Sequence, residues 1–364
     1  MKRKLRLGAV FVLVALLVAA VAVVVTGCGG GKKTTTTGTT AGKGPIVALL
    51  LPENVTARWE GVDKPQFTAA LQKLVPNARV QVQNALNDPA TQQSQAESAL
   101  VKGAKVLVVA AVDQKAAAVI VNDAKRQNVP VIAYDRLIKN SPLSAYVSFD
   151  SVAVGRAEAG WLAKHTKTGS KIVVINGSPT DDNAHLVNKG IHQVYDPLFE
   201  AGQAKKMAEQ WVPGWDPSKA QSTMEQILTK INNQVDGVAS ANDGMAGGIV
   251  AALKAQKLAG KVPVTGQDAT IEGLQRVLLG TQGVTVFKDI RVQARAAAEV
   301  AAAYLKHQTP TVFNAKTPNG QVNVPSVLLK VQPIDKSNIT TLISNGYVTK
   351  GELCKGLPAS GVCK

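Results

Sequence analysis

From residue 45 onward, short apolar runs and amphipathic stretches alternate along the chain. "PIVALLL" (45–51) precedes "DKPQFTAALQKLV", "ARVQVQN" (78–84) precedes "DPATQQSQAESALVKG", and "AKVLVVAA" (104–111) precedes "DQKAAAVIVNDAKRQ", after which "VPVIAYD" follows. Beyond "AYVSFD" comes the long stretch "SVAVGRAEAGWLAKHTK", and "KIVVING", "VDGVASAND", "VPVTGQDA" and "GVTVFKD" each then lead into a helical segment. Short β-branched runs joined through amphipathic helices predict parallel strands with right-handed crossovers. The runs are too many for one ordinary sheet. The expected fold is therefore α/β, with two doubly wound, Rossmann-like lobes. Aromatic residues make up only 4% of the chain while Ala, Val and Gly abound, which suits helices packed closely on parallel strands.

In open α/β sheets, ligands bind outside the carboxyl ends of the strands. Those ends are polar here. Arg58 and Trp59 follow the first run, and Asp135 and Arg136 follow "VPVIAY". Asp181 and Asn183 follow "KIVVINGSPT", Asn242 and Asp243 follow "DGVASA", Asp268 follows "VPVTGQ", and Lys288 follows "GVTVF". Trp59 and Trp215 add flat apolar faces. A neutral polyol offers hydroxyls that both donate and accept, so carboxylates, amides and cations set side by side match it. The C–H face of a sugar ring can lie on an indole. A surface ion pair would also explain Asp135 and Arg136 taken alone. It does not explain the same polarity at every strand end.

The motifs "ARWE", "VIAYDRLIKN", "YVSFDSVAVG", "INGSPTDDNA", "QWVPGWDP", "SANDGMAGG", "TGQDA" and "VFKDIR" together resemble one family closely. It is the periplasmic sugar-binding proteins of ABC importers, in particular the D-xylose-binding and multiple-sugar-binding branch. The resemblance runs from about Pro45 to the tail. It implies a type I periplasmic-binding-protein fold whose lobes join through a three-stranded hinge, with the ligand cleft between them. Its ligand contacts would fall on Arg58, Trp59, Asp135, Arg136, Asp181, Asn183, Trp215, Asn242, Asp268 and Lys288, with Asp182 facing solvent. The lobes would comprise 45–152 plus 288–312 and 153–287 plus 313–350, leaving 351–364 as a tail. "SAND" stands nearer the xylose branch and "VFKDIR" nearer the multiple-sugar branch. The implied ligand is one monosaccharide, D-xylose or a related aldose. The implied partner is a membrane permease, with the binding protein a monomer.

The amino terminus sets the compartment. "MKRKLR" and a long apolar run lead to "VTGC", then to "GGGKKTTTTGTTAGKG". This resembles a bacterial lipoprotein signal (1–28) in which Cys28 becomes the lipidated first residue, followed by a Gly/Thr/Lys tether over 29–44. An uncleaved membrane anchor is the alternative, and under either reading the rest lies outside the cytoplasm. In an oxidising exterior, Cys354 and Cys363 can form a local disulfide that pins the tail, or remain free thiols.

The formal charge of +16 raises the question of nucleic acid. Much of it sits in the leader and tether, and the rest is scattered among acids with no basic stripe. Catalysis has little to stand on. His165, His185, His192 and His307 show no metal-binding spacing, no Gly-x-Ser-x-Gly elbow occurs, and no loop has calcium or zinc ligand spacing. Asp135 and Asp181 as a glycosidase pair would be held ionised by Arg136 and Asn183. A binding protein without cofactor or metal is expected. A sugar-responsive repressor would carry a helix-turn-helix where this chain has its leader. A receptor role toward chemotaxis or a sensor kinase stays open.

Overall fold

The computed structural model describes residues 44–364. The expected signal segment, Cys28 and the tether up to residue 43 lie outside the described residues. The first lobe begins β1 (Ile46–Leu51), α1 (Lys64–Leu74), β2 (Arg79–Asn84), α2 (Pro89–Val101), β3 (Ala104–Val109), α3 (Ala118–Arg126), β4 (Val131–Tyr134) and β5 (Ala145–Phe149). The second follows with α4 (Ser151–Lys164), β6 (Ser170–Asn176), α5 (Asp182–Glu200), β7 (Ala204–Trp211), α6 (Pro217–Lys230), β8 (Gly237–Ser240), α7 (Asp243–Ala255), α8 (Ile271–Leu279) and β9 (Thr285–Phe287). The chain then returns to the first lobe through α9 (Ile290–Leu305), β10 (Ala315–Pro318) and β11 (Asn323–Leu329). It ends on the second with β12 (Gln332–Ile334), α10 (Thr340–Ser344) and α11 (Lys350–Cys354).

The first lobe's sheet runs β10-β11-β5-β4-β3-β1-β2, parallel except for β10. Every residue of β1 is buried, as a strand covered on both faces must be. Its side chains alternate between two cores. Val47, Leu49 and Leu51 pack with α1 and α9, while Ile46, Ala48 and Leu50 pack with α2 and α3. In the second lobe β6 lies between β7 and β8, and the parallel bridges Val238–Val264 and Gln267–Val286 extend that sheet toward β9. Helices α4 and α5 meet at glycines: a Cβ on Gly155 would lie 1.9 Å from the Val187 carbonyl oxygen, and one on Gly190 2.2 Å from that of Val152. Only glycine permits that approach.

The lobes are joined three times, between Phe149 and Ser151, between Phe287 and Ile290, and between Leu329 and Gln332. The last corrects the sequence reading, which placed residues 313–350 in the second lobe. β11 pairs in parallel with β5, Ser326 opposite Tyr146 through Leu329 opposite Phe149, and so belongs to the first sheet. The chain crosses to the second lobe at β12, which pairs with β9, and stays there. An apolar run such as "NVPSVLL" suits either sheet, because pairing is decided by which edge is open. The tail helices pack on α8 and β9 through Leu342, Val348 and Leu353, and Cys354 and Cys363 are disulfide-bonded.

Candidate functional site

Three residues that end strands or follow turns hold left-handed backbone: Asp135 (φ 63°), Trp215 (φ 57°) and Asp268 (φ 98°). Such conformations cost a non-glycine residue about 1 kcal/mol or more and persist only where neighbours over-determine them. Asp135 donates its N–H to the Val147 carbonyl at 2.8 Å. Its own carbonyl accepts from Ser148 Oγ at 2.7 Å, Tyr146 OH at 3.1 Å and Asn183 Nδ2 at 3.0 Å. The Asp268 N–H reaches Val286 O at 3.0 Å. The two residues after it are held by Thr285 Oγ1 and the buried Asp243 carboxylate. Burial pushes Asp243 up to about 7, against the pull of Arg276 and Gln282.

These backbones aim their side chains into one cavity between the lobes. It is lined by all ten sequence-predicted residues, Arg58, Trp59, Asp135, Arg136, Asp181, Asn183, Trp215, Asn242, Asp268 and Lys288. Two that sequence reasoning missed, Thr56 and Gln267, line it as well.

The cavity's charges are paired. Arg58 grips Asp63 through Nε (2.9 Å) and Nη2 (2.8 Å), and directs Nη1 to Asp135 Oδ2 at 2.9 Å. Gln293 of α9 ties the two together, accepting from Arg58 Nη2 at 2.8 Å and donating to Asp135 Oδ2 at 3.1 Å. Lys288 pairs with Asp268 at 2.8 Å. Arg136 pairs with Asp181 at 2.9 Å and with Glu53 at 3.2 Å. Burial pushes the Asp135 carboxyl up, but Arg58, then Lys288, Gln293 and Arg136, outweigh it and hold it well below the usual carboxylate range. Burial raises Asp63 and Asp181, against Arg58 and Arg136 respectively. Burial lowers the pKa of the Arg58 guanidinium, but Asp135 and Asp63 overcome this and carry it well above its ordinary value. Burial, with the nearby Asp243 and Asp268, raises the Glu158 carboxyl well above the usual carboxylate range, against the pull of Lys288.

The indoles are fixed too. The Arg58 and Arg136 guanidiniums lie 4.6 and 5.4 Å from the centroid of the Trp59 ring, and the indole N–H donates to Glu53. Trp215 donates to Asp181 Oδ2 at 3.1 Å, and a Cβ on Gly177 would lie 2.2 Å from its ring. Asn242 caps α7 with its side-chain oxygen on the Met245 N–H at 2.9 Å, which leaves its amide N–H groups as donors. Asp182, expected to face solvent, instead is largely buried and pairs with Lys139 at 3.0 Å.

Glu53, Asp63 and Gln293 are the supports that sequence reasoning did not assign. Asp63 carried a signal, since a single helical stretch (Trp59–Asp63) brings it back beneath Arg58. Gln293 lies 235 residues from its partner Arg58 and carried none.

A family model described as periplasmic binding protein domain matches residues 47–309. The chain belongs to the periplasmic binding protein family. It is accordingly a binding protein and not an enzyme. It is 38% identical over 297 residues to the D-xylose-binding periplasmic protein of Escherichia coli (strain K12), covering 81% of this chain and 88% of that one. It is 33% identical over 336 residues to the multiple sugar-binding periplasmic protein SbpA of Azospirillum brasilense, covering 86% and 92%. A carbohydrate transporter solute binding protein from Chloroflexus aurantiacus, solved in complex with D-glucose, matches with a TM-score of 0.78 at 29% identity, over 84% of this chain and 97% of that one. Both lobes thus have the fold of the family's known structures.

Proposed function

We propose that the chain is the extracytoplasmic solute-binding subunit of an ABC importer. It takes one monosaccharide, D-xylose or a related aldose, between its lobes and delivers it to a membrane permease. The observation that carries this reading is the charge pairing of the cavity. Each carboxylate already has a cation and each cation a carboxylate, so the wall is set against a second charge. The remaining lone pairs and N–H groups suit a neutral ligand rich in hydroxyls. Trp59 from the first lobe and Trp215 from the second supply faces for the ring's C–H groups. The relatives named for D-xylose, 38% and 39% identical, support the choice of sugar.

The cavity holds about 30 Å³, far below the roughly 300–1,000 Å³ typical of small-molecule sites. The lobes must part at the three crossings to admit a sugar, and ion pairs that now bridge the cleft give way to sugar contacts. Lipidation of Cys28 in "VTGC" would hold the protein at the membrane beside its permease. Mass spectrometry of the native protein should find a lipidated amino-terminal Cys28, and an unlipidated terminus elsewhere refutes the anchor. A calorimetric panel of pentoses and hexoses tests the binding reading. D-Xylose or a close aldose should bind one to one, and EDTA should leave the affinity unchanged. A folded protein that binds no monosaccharide overturns it.

A further inference from the structure

The lobes also touch where no side chain lines the cavity. The Gln114 N–H donates to the Thr180 carbonyl at 2.9 Å, a main-chain bond from the loop after β3 to the loop before α5. Thr180 Oγ1 returns a bond to Val112 O at 3.3 Å. Lys139, beyond β4, reaches Asp182 in the first turn of α5 at 3.0 Å. The Lys139 N–H bonds the Gln114 carbonyl at 2.8 Å, so the two first-lobe segments form one rim. Asp182 stands in sequence between two cavity residues, Asp181 and Asn183, and Lys139 lies three residues after Arg136.

We infer that Lys139 and Asp182, with the Gln114–Thr180 bond beside them, form a latch that sets sugar affinity without touching sugar. The inference rests on the reading that a sugar binds by lobe closure. Every contact in this set joins one lobe to the other, so all of them exist only when the lobes are shut. Apparent affinity is the intrinsic affinity scaled by the fraction of protein in the competent state. A contact present only in the closed state therefore raises affinity, mainly by slowing release. It does so equally for every sugar, because it meets none of the hydroxyls. Residues facing the cavity act differently, changing one sugar's affinity relative to another's. Asp182 is nearly buried and its partner partly so (side chains 11% and 29% exposed). The pair is thus better shielded than an exposed one.

The test is a double-mutant cycle on the full chain, with Lys139→Met, Asp182→Asn and the double variant, and Lys102→Ala as an exposed control. Calorimetry and stopped-flow release are run with D-xylose and D-glucose. Small-angle scattering is recorded without sugar, and unchanged far-UV dichroism certifies folding. Each single variant should bind about three- to thirtyfold more weakly, the range of a partly buried pair. The factor should be the same for each sugar that binds, and should appear in the release rate. The double variant should lose no more than the weaker single, and Lys102→Ala should match wild type. Wild-type affinity in both single variants overturns the latch, as does a loss that differs between two sugars or that adds up in the double variant. If wild-type protein binds neither of these, the two sugars it binds best in the pentose and hexose panel replace them, and if it binds no monosaccharide the functional reading falls. The latch is then judged by scattering alone, where a larger radius of gyration in the variants supports it and an unchanged one refutes it.

Discussion

Asp135 ties first-lobe supports to the second lobe through its side chain. It accepts from Arg58 and Gln293 through Oδ2 and from Asn183 through Oδ1, and its left-handed backbone is pinned by Ser148 and Tyr146. Asp268 is its counterpart in the second lobe, held by Lys288. If both lobes grip one sugar, removing either carboxylate damages the same event. Losing a charged hydrogen-bond partner costs about 1.5–3 kcal/mol, and each 1.4 kcal/mol is about tenfold in affinity. Asp135→Ala and Asp268→Ala should each weaken sugar binding by roughly tenfold to about 150-fold in calorimetric titration. Full affinity in both variants, for every sugar the wild type binds, contradicts the site. The polar strand ends made these residues legible in the sequence, since a continuous apolar run that stops on a charge marks the sheet's carboxyl edge. Of the supports beneath them, only Asp63 carried a local signal. Glu53, Asp63 and Gln293 act by holding Trp59, Arg58 and Asp135, and only folding brings Gln293 of α9 beneath a loop from the first turn of the chain.

At the scale of elements, α5 and β7 meet through a polar cluster outside the cleft. His192 shares Nδ1 with Asp196 at 2.6 Å and Nε2 with Glu209 at 3.1 Å, and Glu209 also accepts from Lys206, Asn176 and Asn188. Burial lowers the His192 pKa, but the bonds to Asp196 and Glu209 outweigh it and leave it raised. Burial raises Glu209, but His192, Lys206 and the two amides bring it down to about 2. The raised histidine contributes stability that is complete below its unfolded value near 6.5 and lost as pH climbs through the folded value. The depressed glutamate contributes stability present above 4.5 and lost as pH falls toward about 2. Both contributions are full only between about pH 4.5 and 6.5. The melting temperature lost in Glu209→Gln should therefore be greatest near pH 5–6 and shrink toward both pH 3 and pH 9. A loss independent of pH across that range removes the ionic account. The same scale shows where sequence reading stops. Alternation marked β1 to β6, β8 and β9, but it passed over the polar edge strand β7 and did not separate β10, β11 and β12 or say that β11 would close beside β5. Pairing is a property of the sheet's open edge and not of the run.

Across the whole molecule, direct contacts hold the two lobes closed over the cavity. Ion pairs such as Arg136–Asp181 and hydrogen bonds such as Asn183–Asp135 join one lobe to the other across the cavity. A sugar replaces some of these contacts while adding its own, so it stabilises the closed, folded form and has nothing comparable to bind in the unfolded chain. A ligand at one hundred times its dissociation constant stabilises by about 2.7 kcal/mol. For chains of 150–250 residues, each kcal/mol raises the melting temperature by about 2–4 °C, and by somewhat less in larger ones. Saturating D-xylose should therefore raise the melting temperature of the wild-type protein by several degrees, and the shift should keep growing with the logarithm of sugar concentration. Asp268→Ala leaves Lys288 without its buried partner and should melt somewhat lower than wild type without sugar, and should lose most of the further shift that sugar produces. Equal sugar-induced shifts in wild type and Asp268→Ala would place the bound sugar somewhere other than between the lobes.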